Sequence, residues 1–233
     1  MSIDITVQGG TSKRLLTAGK YCPQDIVVTA EGGGGANQID ALLDGSLTEL
    51  DSDALTLVRY KCYNMASLVR VNLQKCTTLD IEVFNGCTAL KEFNAPCLTT
   101  IGTYCFKECK ALEKIAFPLV VYVQVGTFYR SGLRMADFTA AVSIDRDAFM
   151  GCTKLDTLIL RRTGRVCALY ASGTSPIAGT LIAKKQGFVY VPAALVDTYK
   201  SASGWSTYAE QFRALEDYTV DGTIYGELDE SKI

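Results

Sequence analysis

Nine cysteines and no histidine set the chemistry open to this 233-residue chain. Without imidazole it lacks the commonest general base, pH switch and metal ligand. The cysteines stand at 22, 62, 76, 87, 97, 105, 109, 152 and 167 and form no C-x-x-C. Cys105 and Cys109 make one C-x3-C, with no second pair to complete a tetrahedral site, so no metal is expected. An odd count prevents complete internal pairing. Reduced thiols, buried as small apolar groups, are the expectation. The opening residues Met1-Ser2-Ile3-Asp4-Ile5 have neither a basic nor an apolar leader region, and no N-x-S/T sequon occurs. Synthesis in a reducing cytoplasm is therefore expected.

Other reactive groups are sparse. Asp145 and Asp147, two apart, would share a face of an alternating strand, yet no base lies near them in sequence. Glu216-Asp217 reads as a solvated helix end, and Ser231-Lys232 sits in the tail. A serine nucleophile would need lysine as its base, and no S-x-x-K stands in a strand–helix context. Gly32–Gly35 fits no phosphate-loop pattern and follows Ala30-Glu31, an acid where phosphate would sit. No catalytic residue, no enzyme activity and no cofactor are expected. Lys plus Arg is 23 and Asp plus Glu 25, a net charge of −2, without the basic excess of a nucleic-acid binder. No apolar run approaches the ~20 residues of a membrane span.

The elements that must position any site are periodic. Phe84, Phe106, Phe128 and Phe149 step by 22, 22 and 21 residues, with Cys62 in the first slot. Leu68, Leu90, Leu112, Leu133 and Leu155 follow the same step, as do Leu57, Leu79, Ile101, Val123 and Ile144. Cys87, Cys109 and Cys152 form a further column. A coil of about 22 residues cannot bury its apolar face alone, so the coils must stack as a solenoid. After each column leucine the pattern L-x-x-Φ-x-Φ marks a short strand, and strands of successive coils should pair in parallel. Five coils are expected. The first lacks the aromatic. The fourth, Val123 to Leu133, is one residue short and lacks the cysteine. Both should be locally irregular.

The motif Ile101-Gly-x-x-x-Phe-x-x-Cys-x-x-Leu112 resembles the BspA-like (Treponema-type) leucine-rich repeats, over residues 47–162. The fold class implied is an α/β solenoid, a short leucine-rich repeat stack with parallel strands. A small N-terminal β head and a mixed α/β C-terminal cap would flank it. Residues 163–233 leave the period: Ser175–Gly179 then Gly187–Pro192 reads as turn plus strand, Pro192–Ala202 as a helix, Trp205–Phe212 as a second short helix, and Asp221–Asp229 as a loose hairpin or arm. The run from Val189 to Tyr208 resembles the closing segment after such repeats in phage and gut-bacterial proteins. Residues 1–31 hold two alternating runs, Ile3–Val7 and Asp25–Thr29, too small to be stable alone. Residues 32–46 read as a glycine-rich linker and short helix. The head resembles the N-terminal segment of tail and other accessory virion proteins in phages of gut Firmicutes.

These resemblances imply a non-enzymatic virion structural protein, made in the host cytoplasm. Ile3, Ile5, Val7, Ile26 and Val28 would dock on other virion proteins. The repeat surface would face a host glycan or protein, from multiple copies or a homo-oligomer, without nucleic acid or membrane insertion. A bacterial cell-surface adhesin of BspA-like type is the alternative. Strand alternation selects the exposed face: Arg70, Asn72, Glu92, Asn94, Lys114, Met135, Asp137 and Thr157, with Ala116 and Ile159 beside them.

Overall fold

The computed structural model describes residues 47–52, 57–58, 62–170 and 174–220, and strand backbone at 3–5, 13–15 and 223–224. Near the N-terminus β1 (Ile3–Ile5) pairs antiparallel with β2 (Lys13–Leu15), Ile3 opposite Leu15. The sequence reading placed the second strand at Asp25–Thr29. That run, Val7, Ile26, Val28 and the Gly32–Gly35 linker lie outside the described residues.

From residue 47 the chain coils. Each coil carries one longer and one shorter strand. The longer ones are β3 (Glu49–Ser52), β5 (Arg70–Leu73), β7 (Glu92–Asn94), β9 (Lys114–Phe117), β11 (Met135–Phe138) and β13 (Thr157–Leu160). The shorter are β4 (Leu57–Val58), β6 (Thr78–Leu79), β8 (Thr100–Ile101), β10 (Tyr122–Val123), β12 (Ser143–Ile144) and β14 (Ala168–Leu169). All pairings within the stack are parallel and join residues one coil apart, as in Met135↔Thr157. The stack is longer than the expected five coils. β3 precedes it, and β15 (Phe188–Val191) and β16 (Phe212–Ala214) extend the sheet in parallel register, Thr157↔Phe188 and Val189↔Phe212. Eight strands at ~4.8 Å make a face about 34 Å long.

The core is the set of inward columns. Phe84, Phe106, Phe128 and Phe149 stack face to face with centroids 5.6, 5.5 and 5.2 Å apart. The cysteine column is buried beside them. Each thiol donates to a carbonyl one coil earlier: Cys87 to Cys62 at 2.7 Å, Cys109 to Phe84 at 3.1 Å and Cys152 to Phe128 at 2.9 Å. Ser131 holds the column position in the fourth coil, 3.3 Å from the Cys152 sulfur. The missing residue of that coil is therefore absorbed after Ser131, at Gly132. A Cβ there would lie 1.9 Å from the Lys110 carbonyl oxygen. Only a glycine lets the short turn lie against its neighbour, and β11 pairs with β9 in unbroken register. The expected irregularity of this coil is thus confined to one residue.

Two further columns were not anticipated. Glu82, Tyr104, Gly126 and Asp147, and likewise Asn64, Gly86, Glu108, Arg130 and Gly151, all have positive φ, near +55 to +78°. Each coil turns its corners with left-handed residues, most of them not glycine.

In the cap, Ala193–Leu195 forms a 3-10 turn leading into α1 (Val196–Ser201), and Ser206–Gln211 is 3-10 rather than α-helical. Tyr199, Trp205 and Phe212 pack as a ring cluster with centroids 5.2–5.9 Å apart. Trp205 Nε1 donates to the Cys167 carbonyl at 2.7 Å, and the Cys167 amide donates to Tyr199 Oη at 2.8 Å. These aromatics close the open end of the stack. After the cap β17 (Thr219–Val220) pairs antiparallel with β18 (Thr223–Ile224). Among the described residues no helix is long and apolar enough to cross a membrane.

Candidate functional site

The longer strands alternate as expected, apolar inward and polar outward. Two outward columns result. One runs Glu49, Arg70, Glu92, Lys114, Met135, Thr157, Phe188, and the other Asp51, Asn72, Asn94, Ala116, Asp137, Ile159, Tyr190. All eight candidate residues therefore lie on one face, in neighbouring positions.

The face is not uniform. Over β3, β5 and β7 it is open and wired by side chains. Arg70 pairs with Glu49 at 2.5 Å, both well exposed, an arrangement that adds little stability. Asn94 Nδ2 donates to Asn72 Oδ1 at 2.9 Å, and Asn72 Nδ2 donates to Asp51 Oδ1 at 3.0 Å. This ladder holds the amides in fixed orientation along the surface.

Over β11 and β13 the same face is covered by the chain's own C-terminal segment. Leu215 and Tyr218 pack on Ile159, which is 1% exposed, with Met135 and Tyr190 against them. The Tyr218 hydroxyl donates to Met135 Sδ at 3.4 Å, and its ring lies 4.6 Å from that of Tyr190. Asp137 and Arg161 form a bidentate pair at 2.8–3.0 Å, with side chains only 15% and 10% exposed. Burial pushes the Asp137 carboxyl above the usual aspartate range, while Arg161 pulls it back. Three of the candidates therefore need correction. Met135, Asp137 and Thr157 point outward but are only partly exposed: Leu215 and Tyr218 cross back over Met135 and beside Asp137, and Thr157 stands half-buried between Met135 and Phe188 in its column. The cap was read as covering the end of the stack, and it also covers part of its face. The open candidates are Arg70, Asn72, Glu92, Asn94 and Lys114, with Asn72 half-buried.

The pairing also lapses once. No hydrogen-bonded strand pairing links β7 to β9, nor β8 to β10, although the pairings on either side are intact. The turns across this boundary stay bonded, as in Phe84 N–H to the Cys105 carbonyl at 2.9 Å and Phe106 N–H to Thr127 at 2.8 Å. The stack is thus held on its turn side and parted on its strand side. Phe93, the largest side chain in the column Val71, Phe93, Ile115, Ala136, Leu158, stands at the parting. Its ring lies edge-on to Phe84, Phe106 and Phe117 at 5.4, 4.8 and 5.9 Å, and it is only half-buried. The next inward position of its strand is Ala95, which leaves Phe117 of the following coil to fill the space. An open cleft of about 730 Å³ results, lined by Glu92, Phe93, Asn94 and Lys114 among others. Nothing in the repeat arithmetic points to this cleft. Its signal is a phenylalanine in a column of smaller side chains.

The residues weighed for catalysis are placed apart. Asp145 and Asp147 lie in a turn rather than on a strand: Asp145 accepts the Arg146 amide at 2.7 Å, and Asp147 takes a positive φ. Glu216 accepts the Ala193 amide at 3.1 Å, tying the C-terminal segment to the cap. Ser231-Lys232 lies outside the described residues. Cys105 and Cys109 are both fully buried, with pKa values raised by loss of solvation. Among the described residues no three His, Cys, Asp or Glu side chains converge.

The family model described as BspA type leucine rich repeat region matches residues 47–168 in six copies. A leucine-rich repeat protein from Bacteroides ovatus, known from a crystal structure, aligns at 18% identity with a TM-score of 0.39. The alignment covers 72% of this chain and 36% of that one. No curated protein sequence matches.

Proposed function

Because the chain belongs to the BspA-type leucine-rich repeat family, we propose that it is a non-enzymatic recognition scaffold whose working surface is the open part of the strand face. One observation carries this reading. Arg70, Asn72, Glu92 and Asn94 stand side by side on parallel-paired strands, with Lys114 in the same outward column across the parting, and neither the core nor the cap uses them. A rigid sheet that fixes amides and charges at strand spacing suits recognition, since little side-chain order must be gained on binding.

We further propose a virion context, in which residues 1–31 dock on other particle proteins and the face meets a host surface. Its support is the resemblance of the head to phage accessory proteins; the closing segment resembles those of phage and gut-bacterial proteins alike. Several copies on one particle would give weak sites avidity. A BspA-like protein of the bacterial surface would use the same face equally well. A mass-spectrometric inventory of purified particles and of the cell envelope separates the two contexts. Deleting residues 1–31 should leave the melting profile of the stack unchanged and abolish incorporation into particles. Incorporation at normal copy number would refute docking through the head. For the face itself, the paired substitutions Asn72→Arg and Asn94→Arg should lower attachment of the labelled protein to intact host cells at least tenfold. Unchanged attachment would refute the face as the working surface.

A further inference from the structure

We propose that the cleft between β7 and β9 is a binding site for an oligosaccharide bearing isolated carboxylates, of the uronic- or sialic-acid class. The inference rests on the recognition-face reading and narrows it to one place and one chemistry.

The place follows from the backbone. Lys91 and Glu92 amides both donate to the Val69 carbonyl, and Arg134 and Met135 amides both donate to the Glu113 carbonyl, at 2.8–3.2 Å. The equivalent bonds from Glu113 and Lys114 to Lys91 are not made, so polar backbone edges face the cleft. A site of about 730 Å³ lies within the range of ordinary small-ligand pockets. Lys110 and Lys154 stand on its rim, and Gly132 in the short coil between them carries no side chain.

The chemistry follows from the lining. Four lysines, 91, 110, 114 and 154, face two glutamates, 92 and 113, a local net charge of +2 on a chain of net −2. Lys110 is committed to Glu108 and to the Arg130 carbonyl. The side chains of Lys91, Lys114, Lys154 and Glu113 make no ion pair or hydrogen bond with other described residues, and that of Glu92 interacts with Arg70 only at longer range. Asn94 donates one amide hydrogen bond to Asn72 and keeps its own oxygen free to accept. The half-buried Phe93 ring at the cleft offers an apolar surface.

This set discriminates among anions. A peptide strand cannot insert between β7 and β9, because that needs about 9.6 Å between them, and Cα atoms across the seam remain within 8 Å. A densely charged polymer would bring anions against Glu92 and Glu113. A sugar chain with spaced carboxylates meets every group: carboxylate on lysine, hydroxyls on glutamate and Asn94, and ring C–H surface on Phe93.

Calorimetry on the full chain tests the assignment with hexagalacturonate and sialyllactose as probes, maltohexaose as the neutral control and hexaglutamate as the acidic peptide. At least one acidic saccharide should bind. The pair Lys91→Ala and Lys114→Ala, both exposed and outside the core, should weaken it at least tenfold, and so should raising salt from 50 to 500 mM. Lys184→Ala, an exposed lysine outside both the face and the cleft, should change it less than twofold, and maltohexaose should not bind. Binding of hexaglutamate as tight as the saccharide would overturn the proposal, as would lysine variants without effect or no saccharide binding at all. If no probe binds while the Asn72→Arg/Asn94→Arg protein still loses cell attachment, this inference falls and the face reading stands.

Discussion

Seven buried thiols make this fold sensitive to mild alkali. Cys62, Cys76, Cys87, Cys105, Cys109, Cys152 and Cys167 are all 0–1% exposed. Burial raises every one: Cys152 to about 11 and Cys87 and Cys167 to about 12, with Cys62, Cys76, Cys105 and Cys109 also pushed up. An unfolded thiol ionises near 8.5. The folded state therefore keeps protons that the unfolded chain releases. Stability is complete below pH about 8.5 and falls as pH rises toward the folded values. At pH 9.5 each of the six strongly shifted thiols contributes a loss of about 1.4 kcal/mol, so together they remove roughly 8 kcal/mol, with Cys76 acting in the same direction. That matches the whole stability of an ordinary domain, about 5–15 kcal/mol. The single tryptophan, Trp205, is fully buried in the cap and reports unfolding by fluorescence. Urea melts in reductant under argon at pH 7, 8, 9 and 9.5 should show little change to pH 8, then a collapse of the midpoint. Cys152→Ser, for which Ser131 is the precedent in the same column, should reduce the alkaline slope by about one part in seven. A midpoint unchanged to pH 10 would mean that the cysteine columns do not face the core.

The remaining expectations concern single coils. Phe106→Ala removes a ring stacked on both sides and should cost about 3–5 kcal/mol, whereas Asn94→Ala on the open face should cost under about 0.5 kcal/mol; equal costs in denaturant melts would show the columns mis-phased. Gly132→Ala should cost about 1–3 kcal/mol through collision with the Lys110 carbonyl, and a neutral effect would show that the short coil is loose.

Much of this architecture is legible in the residues. The phenylalanine, leucine and cysteine columns phase the coils, and alternation alone assigns Arg70, Asn72, Glu92, Asn94 and Lys114 to one outward face. What escapes is whatever breaks the period. β15 joins the sheet 31 residues after β13 instead of 22, because residues 161–187 make a longer excursion. The cover over Met135 and Asp137 comes from Leu215 and Tyr218, some 80 residues away, and no local pattern encodes such a contact. Glu108 and Arg130 turn left-handed corners that only their column mates Gly86 and Gly151 hint at. The cleft depends on how Phe93 and Phe117 share the space beside Ala95, a matter of packing rather than of spacing.

The central claim is that the strand ladder opens at one boundary and that the opening is the binding site. Hydrogen exchange resolved to single amides tests it most directly. In the free protein the Lys114 amide, facing the cleft, should exchange at least about a hundredfold faster than those of Met135 and Thr157, which sit in unbroken pairing. Saturating hexagalacturonate should slow Lys114 and leave the other two unchanged. Equal protection of all three amides in the free protein would contradict the account, because β7 and β9 would then be paired and the cleft closed.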